Sequence, residues 1–219
     1  MLERLISGGV MMIPLAACSI FMLAVLFERS YAFYRNQMID VRALRAQVLQ
    51  LLFNGRQNDA MTVCASTPSP VSAVLLVGLQ TYRRAVATGA SSAMQRALVE
   101  KAMDDYTPHA SHALELRLNW LATIANVAPL FGMTGTVTGM IRAFGALSGA
   151  GSLDAGVVGA GISEALVATA SGLVIALTSL IPYNGFMNKV AKVNLEIGEA
   201  ASELVQSVVL LAEKGEGRK

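Results

Sequence analysis

Charge is what this chain has least of. Asp, Glu, Lys and Arg make up 15% of its 219 residues, against 54% hydrophobic residues, whereas an average soluble domain is about 25% charged. With a mean hydropathy of +0.52, that deficit excludes an ordinary soluble fold and points to a membrane protein with a substantial polar part. The net charge is only +2, and no basic run carries interleaved aromatics, so no nucleic-acid partner is expected. Two cysteines cannot build a disulfide framework. Cys18 lies in an apolar run and Cys64 in a polar region, and both read as structural thiols. His109 and His112 stand three apart, but no Cys or third His joins them, so no metal site is expected. No G-x-S-x-G or Ser/His/Asp pattern marks an enzyme.

The missing charges leave three long gaps. Leu5 to Phe27 is uncharged for 23 residues and Leu118 to Ile141 for 24. A third run begins near Gly156, meets one acid at Glu164, and is then uncharged from Ala165 to Asn188. A bilayer is crossed by about 20 apolar residues, and none of these runs shows the two-residue alternation of a barrel strand. All three are expected to be helices. Near the start, Arg4 and Leu15-Ala16-Ala17-Cys18 resemble a lipoprotein signal peptide. The apolar run nevertheless continues nine residues past Cys18 and ends at Glu28-Arg29, as a membrane anchor ends.

Cations fix the expected orientation. Ten Lys/Arg fall between Glu28 and Arg117, and five more follow from Lys189 onward; only Arg4 and Arg142 lie elsewhere. The residues that flank the runs, Arg29, Arg35, Arg117, Lys189 and Lys192, carry the positive-inside signal. The N-terminus and the loop Gly145 to Ala155 are therefore expected outside, and the middle segment and the tail in the cytoplasm. That middle segment reads as helical. Apolar residues recur from Val41 to Phe53 and stop at Asn54-Gly55. Pro68 and Pro70 mark a turn, Val71 to Ala87 a second helix closing at Gly89, and Ser91-Ser92 cap a third that runs towards Pro108. In the tail Val190, Val193, Ile197, Ala200, Leu204, Val208 and Leu211 form a three-four stripe on a helix continuing from the third run.

Ala128 to Met140, APLFGMTGTVTGM, is rich in glycine and threonine where a soluble helix would avoid glycine. It has neither the Lys of a Walker loop nor the strand–turn–helix setting of a dinucleotide fingerprint. In lipid, small residues every four positions let helix backbones approach. Gly132, Gly135 and Gly139 supply them here, and Gly161, Ala168, Gly172 and Ala176 in the third run. Spacing alone is equally compatible with helix packing and nothing more. Polar residues add to it. Thr136 and Thr169 lie about 15 Å and 18 Å inside their runs at 1.5 Å per residue, near mid-depth on antiparallel neighbours, and can face one proton pathway. Glu164, about 12 Å inside, is an acid in a spanning segment, which by default marks such a pathway; its alternative is the outer interface. No Asp or Lys lies at the level of the threonines, so a group that changes protonation there must come from another chain.

APLFGMTGTVTGMIRAF (128–144) and GISEALVATASGLVIAL (161–177), followed by Tyr183-Asn184 and preceded by the anchor ending Leu26-Phe27-Glu28-Arg29, resemble the MotA/TolQ/ExbB proton-channel family, nearest its ExbB and TolQ branch. The resemblance implies an all-α membrane protein with three transmembrane helices and a helical cytoplasmic domain, helices two and three extending into the cytoplasm. The expected parts are an N-terminal helix (1–34), a cytoplasmic helical domain (35–117), two channel helices with a short periplasmic loop (118–188), and a cytoplasmic C-terminal helix and tail (189–219). The resemblance further implies a bacterial inner-membrane homopentamer enclosing two helices of an ExbD- or TolR-like single-span partner, with a TonB- or TolA-like protein beyond. Proton flow would drive work on the envelope, the protonatable aspartate belonging to the partner. Protons are then the transported ion, and no other cofactor is implied. Thr136 and Thr169 match the family's pore threonines and Glu164 its third-span glutamate. Family members often carry Pro where Thr178 stands, while this chain has Pro182. Two alternatives stay open: a non-channel scaffold of an envelope complex, or the same channel serving envelope integrity or gliding instead of TonB-dependent uptake.

Overall fold

The computed structural model describes residues 8–37, 40–150 and 155–216. The expected start of the first span at Leu5, the flanking Arg4, part of the expected loop (151–154), and the tail residues Arg218 and Lys219 lie outside the described residues. The helices are α1 (Met12–Gln37), α2 (Val41–Phe53), α3 (Gln57–Ser66), α4 (Pro70–Ala87), α5 (Ser92–Glu115), α6 (Leu118–Ala150) and α7 (Ala155–Glu216), with no strand among the described residues. Among the described residues, three stretches are long and apolar enough to cross a membrane: Met12–Tyr34, Leu118–Ala146 and Gly156–Ala212. Their outward faces agree with that solvent. Ile13, Ile20 and Phe27, seven residues apart on α1, are 72%, 70% and 71% exposed. A row of bare large apolar side chains is untenable in water and ordinary in lipid or against another helix. At about 1.5 Å per residue α6 is roughly 50 Å long and α7 roughly 93 Å, so each exceeds a hydrocarbon core of about 30 Å.

The chain divides into two compact units, residues 31–116 with 187–219 and residues 1–30 with 117–186. In the first, local chemistry sets the helix ends. Asp40 accepts from the Arg42 and Ala43 amides to start α2, and Gly55, at φ +73°, turns the chain out of it. Ser69 and Ser72 form a reciprocal capping box with Pro70 in the first turn of α4. Ser91 caps α5 through the Met94 amide. This helix does not stop at Pro108: it runs on to Glu115, because proline removes only the bond to the Asp104 carbonyl. The sequence also gives little warning of α3, a polar helix that buries only Ala60 and Cys64, four apart.

These helices close a core on the apolar stripe of α7. Ile197, Ala200, Leu204 and Val208 are buried against Leu44, Val48, Leu52, Leu75, Leu79 and Met103. Fully burying one such side chain contributes about 1.5–3 kcal/mol. Gly78 on α4 marks the tightest approach, since a Cβ there would come within 2.6 Å of Met103 Sδ and 2.7 Å of Leu204 Cδ2. At the rim, the Arg45 fork donates to Glu199 at 2.7 Å and to Glu203 at 2.8 Å. Those bonds raise the guanidinium pKa further above its ordinary value, tying α2 to successive turns of α7.

Cys64 provides a check on this core. Burial pushes its thiol up to about 11, whereas an exposed thiol titrates at about 8.5. The folded state therefore holds a proton that the unfolded state releases between those values, and stability falls as pH rises through that window, with no loss below it. Maleimide at neutral pH is expected to label Cys64 only along the unfolding transition, as mass spectrometry of a denaturant series would record.

In the second unit α1 packs on α6 through an edge-to-face pair, Phe21 and Trp120, with centroids 5.4 Å apart. Glu28 is ion-paired to Arg117, the residue just before α6, and to its neighbour Arg29 at 3.1 Å. Pro129 and Pro182 lie inside α6 and α7. Pro182 deprives the Thr178 carbonyl of its amide partner, while the Thr178 hydroxyl itself donates to Val174 O at 2.8 Å.

Candidate functional site

The candidate site is the seam where α6 and α7 run antiparallel. Its closeness is a backbone property. A Cβ on Gly172 would lie 2.6 Å from the Ala128 carbonyl oxygen and 3.3 Å from Gly132 Cα. One on Gly132 would meet Thr169 Cα at 3.0 Å, and one on Gly135 would meet Ala168 Cβ at 2.6 Å. Towards the other end, Gly139 faces Ala165 Cβ and the Gly161 carbonyl, both at 3.0 Å, and Gly161 faces Ala143 Cβ at 2.7 Å. Gly132, Gly135, Gly139, Ala168 and Gly172 are buried, Gly161 is half-buried, and Ala176 is half-buried one turn beyond Gly172. Every step along the seam is filled by backbone, methyl or hydrogen.

The hydroxyls divide into two kinds. Thr134, Thr138, Ser171 and Ser179 donate to carbonyls of their own helix three or four residues back. Thr136, half-buried, does the same to Met133 O at 2.6 Å. Such back-bonding satisfies a hydroxyl in lipid without involving a neighbour. Thr169 behaves differently: its Oγ1 donates across the seam to Gly132 O at 3.0 Å. In a regular helix that carbonyl also receives the Thr136 amide, so the Thr169 hydroxyl and the Thr136 backbone converge on one oxygen. A hydroxyl that donates to a carbonyl keeps two lone pairs for a proton donor. Both threonines can therefore accept from a protonated group or a water while held in place.

Glu164 lies towards the other end of the seam, where Arg142 Nη1 donates to its Oε1 at 2.8 Å. The Thr169 hydroxyl and the Thr136 backbone thus meet at the Gly132 carbonyl, and Glu164 stands apart in an ion pair. The sequence reasoning missed that pair and the Thr169–Gly132 bond. The signal for both is the register. Once Gly139 faces Ala165, three residues onward on α6 and one back on α7 bring Arg142 beside Glu164. Among the described residues, no group of three or more His, Cys, Asp or Glu side chains is placed to hold a metal.

The profile of the MotA/TolQ/ExbB proton channel family matches residues 66–199, covering α4, α5, α6 and most of α7. The Tol-Pal system protein TolQ of Haemophilus influenzae is 42% identical over 91 residues, 42% of this chain and 40% of that protein. An ExbB-like biopolymer transport protein of Synechocystis, ExbB-like 3, is 32% identical over 185 residues, covering 82% of this chain and 81% of its own length. The biopolymer transport protein ExbB of Pseudomonas putida is 36% identical over 85 residues, 39% of this chain and 26% of that protein. The TolQ and P. putida matches thus span less than half of those relatives. The family profile, the long match to the Synechocystis protein and three membrane-crossing helices agree: this chain is a multi-pass membrane protein that belongs to the MotA/TolQ/ExbB proton channel family, as an ExbB/TolQ-like member.

Proposed function

We propose that the chain is the channel subunit of an inner-membrane motor that couples proton flow to work on the cell envelope. It assembles as a homopentamer around an ExbD- or TolR-like partner dimer, with a TonB- or TolA-like protein receiving the work. The N-terminus faces the periplasm, and residues 31–116 with the C-terminal tail face the cytoplasm. One observation carries this reading. A hydroxyl at mid-seam bridges two helices, on a level where neither Leu118–Ile141 nor Ala165–Asn188 holds an Asp, Glu, His, Lys or Arg. A bilayer-centre charge costs several kcal/mol unless it is solvated. Thr136 and Thr169, with their waters, meet that need for an aspartate supplied by the partner. When ionised, the aspartate accepts from water ordered on the hydroxyls; when protonated, it donates to a threonine lone pair. Glu164 serves the periplasmic end of the same pathway.

The double variant Thr136→Val with Thr169→Val, expressed with its partner, is expected to abolish energised transport while the complex still assembles. Proton flux and transport in cells, with blue-native electrophoresis for assembly, measure both. The back-bonded hydroxyls favour a second reading, a scaffold in which small residues only pack helices. That reading requires unchanged flux in the double variant.

A further inference from the structure

Arg142 has no part in the pathway described so far, yet three chain segments meet at its partner. From α6, Arg142 Nη1 donates to Glu164 Oε1 at 2.8 Å; the arginine side chain is 52% exposed and the glutamate 26%. On either side of the pair along the seam, the Gly139–Ala165 and Gly161–Ala143 contacts hold the two helices too close for either charged side chain to withdraw between them. From the third side comes the Gly8–Gly9 turn that leads into α1. Gly9 sits at φ +73°, and a Cβ on it would overlap the Glu164 carboxylate and lie 2.8 Å from Glu164 Cδ. The carboxylate thus occupies the space that any other residue at position 9 would fill. The guanidinium is the more exposed member of the pair.

We infer that Arg142 is a positioning residue: it aims the Glu164 carboxylate at the junction of α1, α6 and α7, where Glu164 receives protons for the seam. The inference rests on the channel reading and deepens it. An arginine fixes one carboxylate oxygen in a directed bond, so that proton exchange falls to the other. Without it the carboxylate turns about its side-chain torsions, and a displacement of about an ångström at a reacting group costs up to roughly a hundredfold in rate. Position matters as well as charge, because the acid must sit on α7 beside the Gly9 turn.

The test uses the chain co-purified with its aspartate-bearing partner and reconstituted in liposomes. Proton uptake under a potassium diffusion potential is followed with a pH-sensitive dye, and thermal unfolding is measured on the same samples. Arg142→Gln is expected to cut flux about tenfold or more, as Glu164→Gln does, and Arg142→Lys to restore part of it. In the unfolding series, Arg142→Gln and Glu164→Gln are expected to be non-additive, since paired residues couple. The exchanged pair, Arg142→Glu with Glu164→Arg, is expected to recover stability but not flux. A purely structural ion pair would recover both together, and that result overturns the positioning role. So does a conducting wild type whose flux is unchanged by Arg142→Gln. A wild-type complex that carries no protons overturns the channel reading itself, and the positioning role falls with it.

Discussion

Replacing Gly172 with alanine is expected to destabilise the protein, although alanine is the better helix former. The same replacement at Gly198 is expected to stabilise it. Both glycines lie inside α7, and each change gains up to about 1 kcal/mol of intrinsic helix propensity. Their surroundings decide the sign. A Cβ on Gly198 meets nothing within 4 Å, whereas one on Gly172 comes 2.6 Å from the Ala128 carbonyl oxygen. A backbone oxygen in α6 cannot turn aside as a side chain can, so the helices must separate along the seam. Overpacking costs about 1–3 kcal/mol for an extra methyl or two, which outweighs the propensity gain. Leucine at position 172 is expected to prevent the folded protomer from accumulating. Thermal unfolding of the purified protein measures all three variants. Shifts of the same sign at Gly172 and Gly198 would mean that α6 and α7 do not approach as closely as the seam requires.

Thr169→Val is expected to separate stability from conduction. Valine keeps the shape of threonine and removes the hydroxyl that bridges to Gly132 O at 3.0 Å. Hydrogen bonds between membrane helices are worth about 0.6 kcal/mol on average and about 1.7 at most. The Gly132 carbonyl, moreover, keeps its bond within the helix. Fold and assembly are therefore expected to survive. If the hydroxyl solvates a partner carboxylate as it changes charge, its loss acts on a much larger quantity. Each 1.4 kcal/mol of lost solvation slows passage about tenfold, and an unsolvated charge at mid-bilayer costs several. Flux is expected to fall by at least about tenfold, with a stability change near the limit of detection. Thr134→Val, whose hydroxyl bonds only to Leu130 O in its own helix, is expected to change neither.

What the sequence discloses follows from how local each determinant is. Helix ends set by one residue and its near neighbours, such as Asn54-Gly55 after α2 and Ser91 before α5, need no knowledge of the fold. The α7 stripe from Val193 to Leu211 is legible for the same reason: its period is written in one helix, and it meets a core built from α2, α4 and α5. Pro108 misleads because its local meaning, a helix stop, is overridden where Met103 and Ala110 on either side of it are buried. Short α3 is invisible to periodicity, its packing resting on two small residues. At the seam, the spacing of glycines marks the face of α6, but the partner of each glycine depends on the register of two helices joined by a loop. The Thr169–Gly132 and Arg142–Glu164 pairs, 37 and 22 residues apart, belong to that register. The Arg45 fork, 154 and 158 residues from its two acids, is more remote still.

The central claim is that Thr169, with Thr136, solvates the partner's aspartate as protons pass. Its most direct test is proton uptake into liposomes holding the chain and its partner at fixed complex density, wild type beside Thr169→Val. The account predicts dye-detected uptake in the wild type and a reduction of about tenfold or more in the variant, at equal assembly. Equal uptake in the two preparations would contradict it.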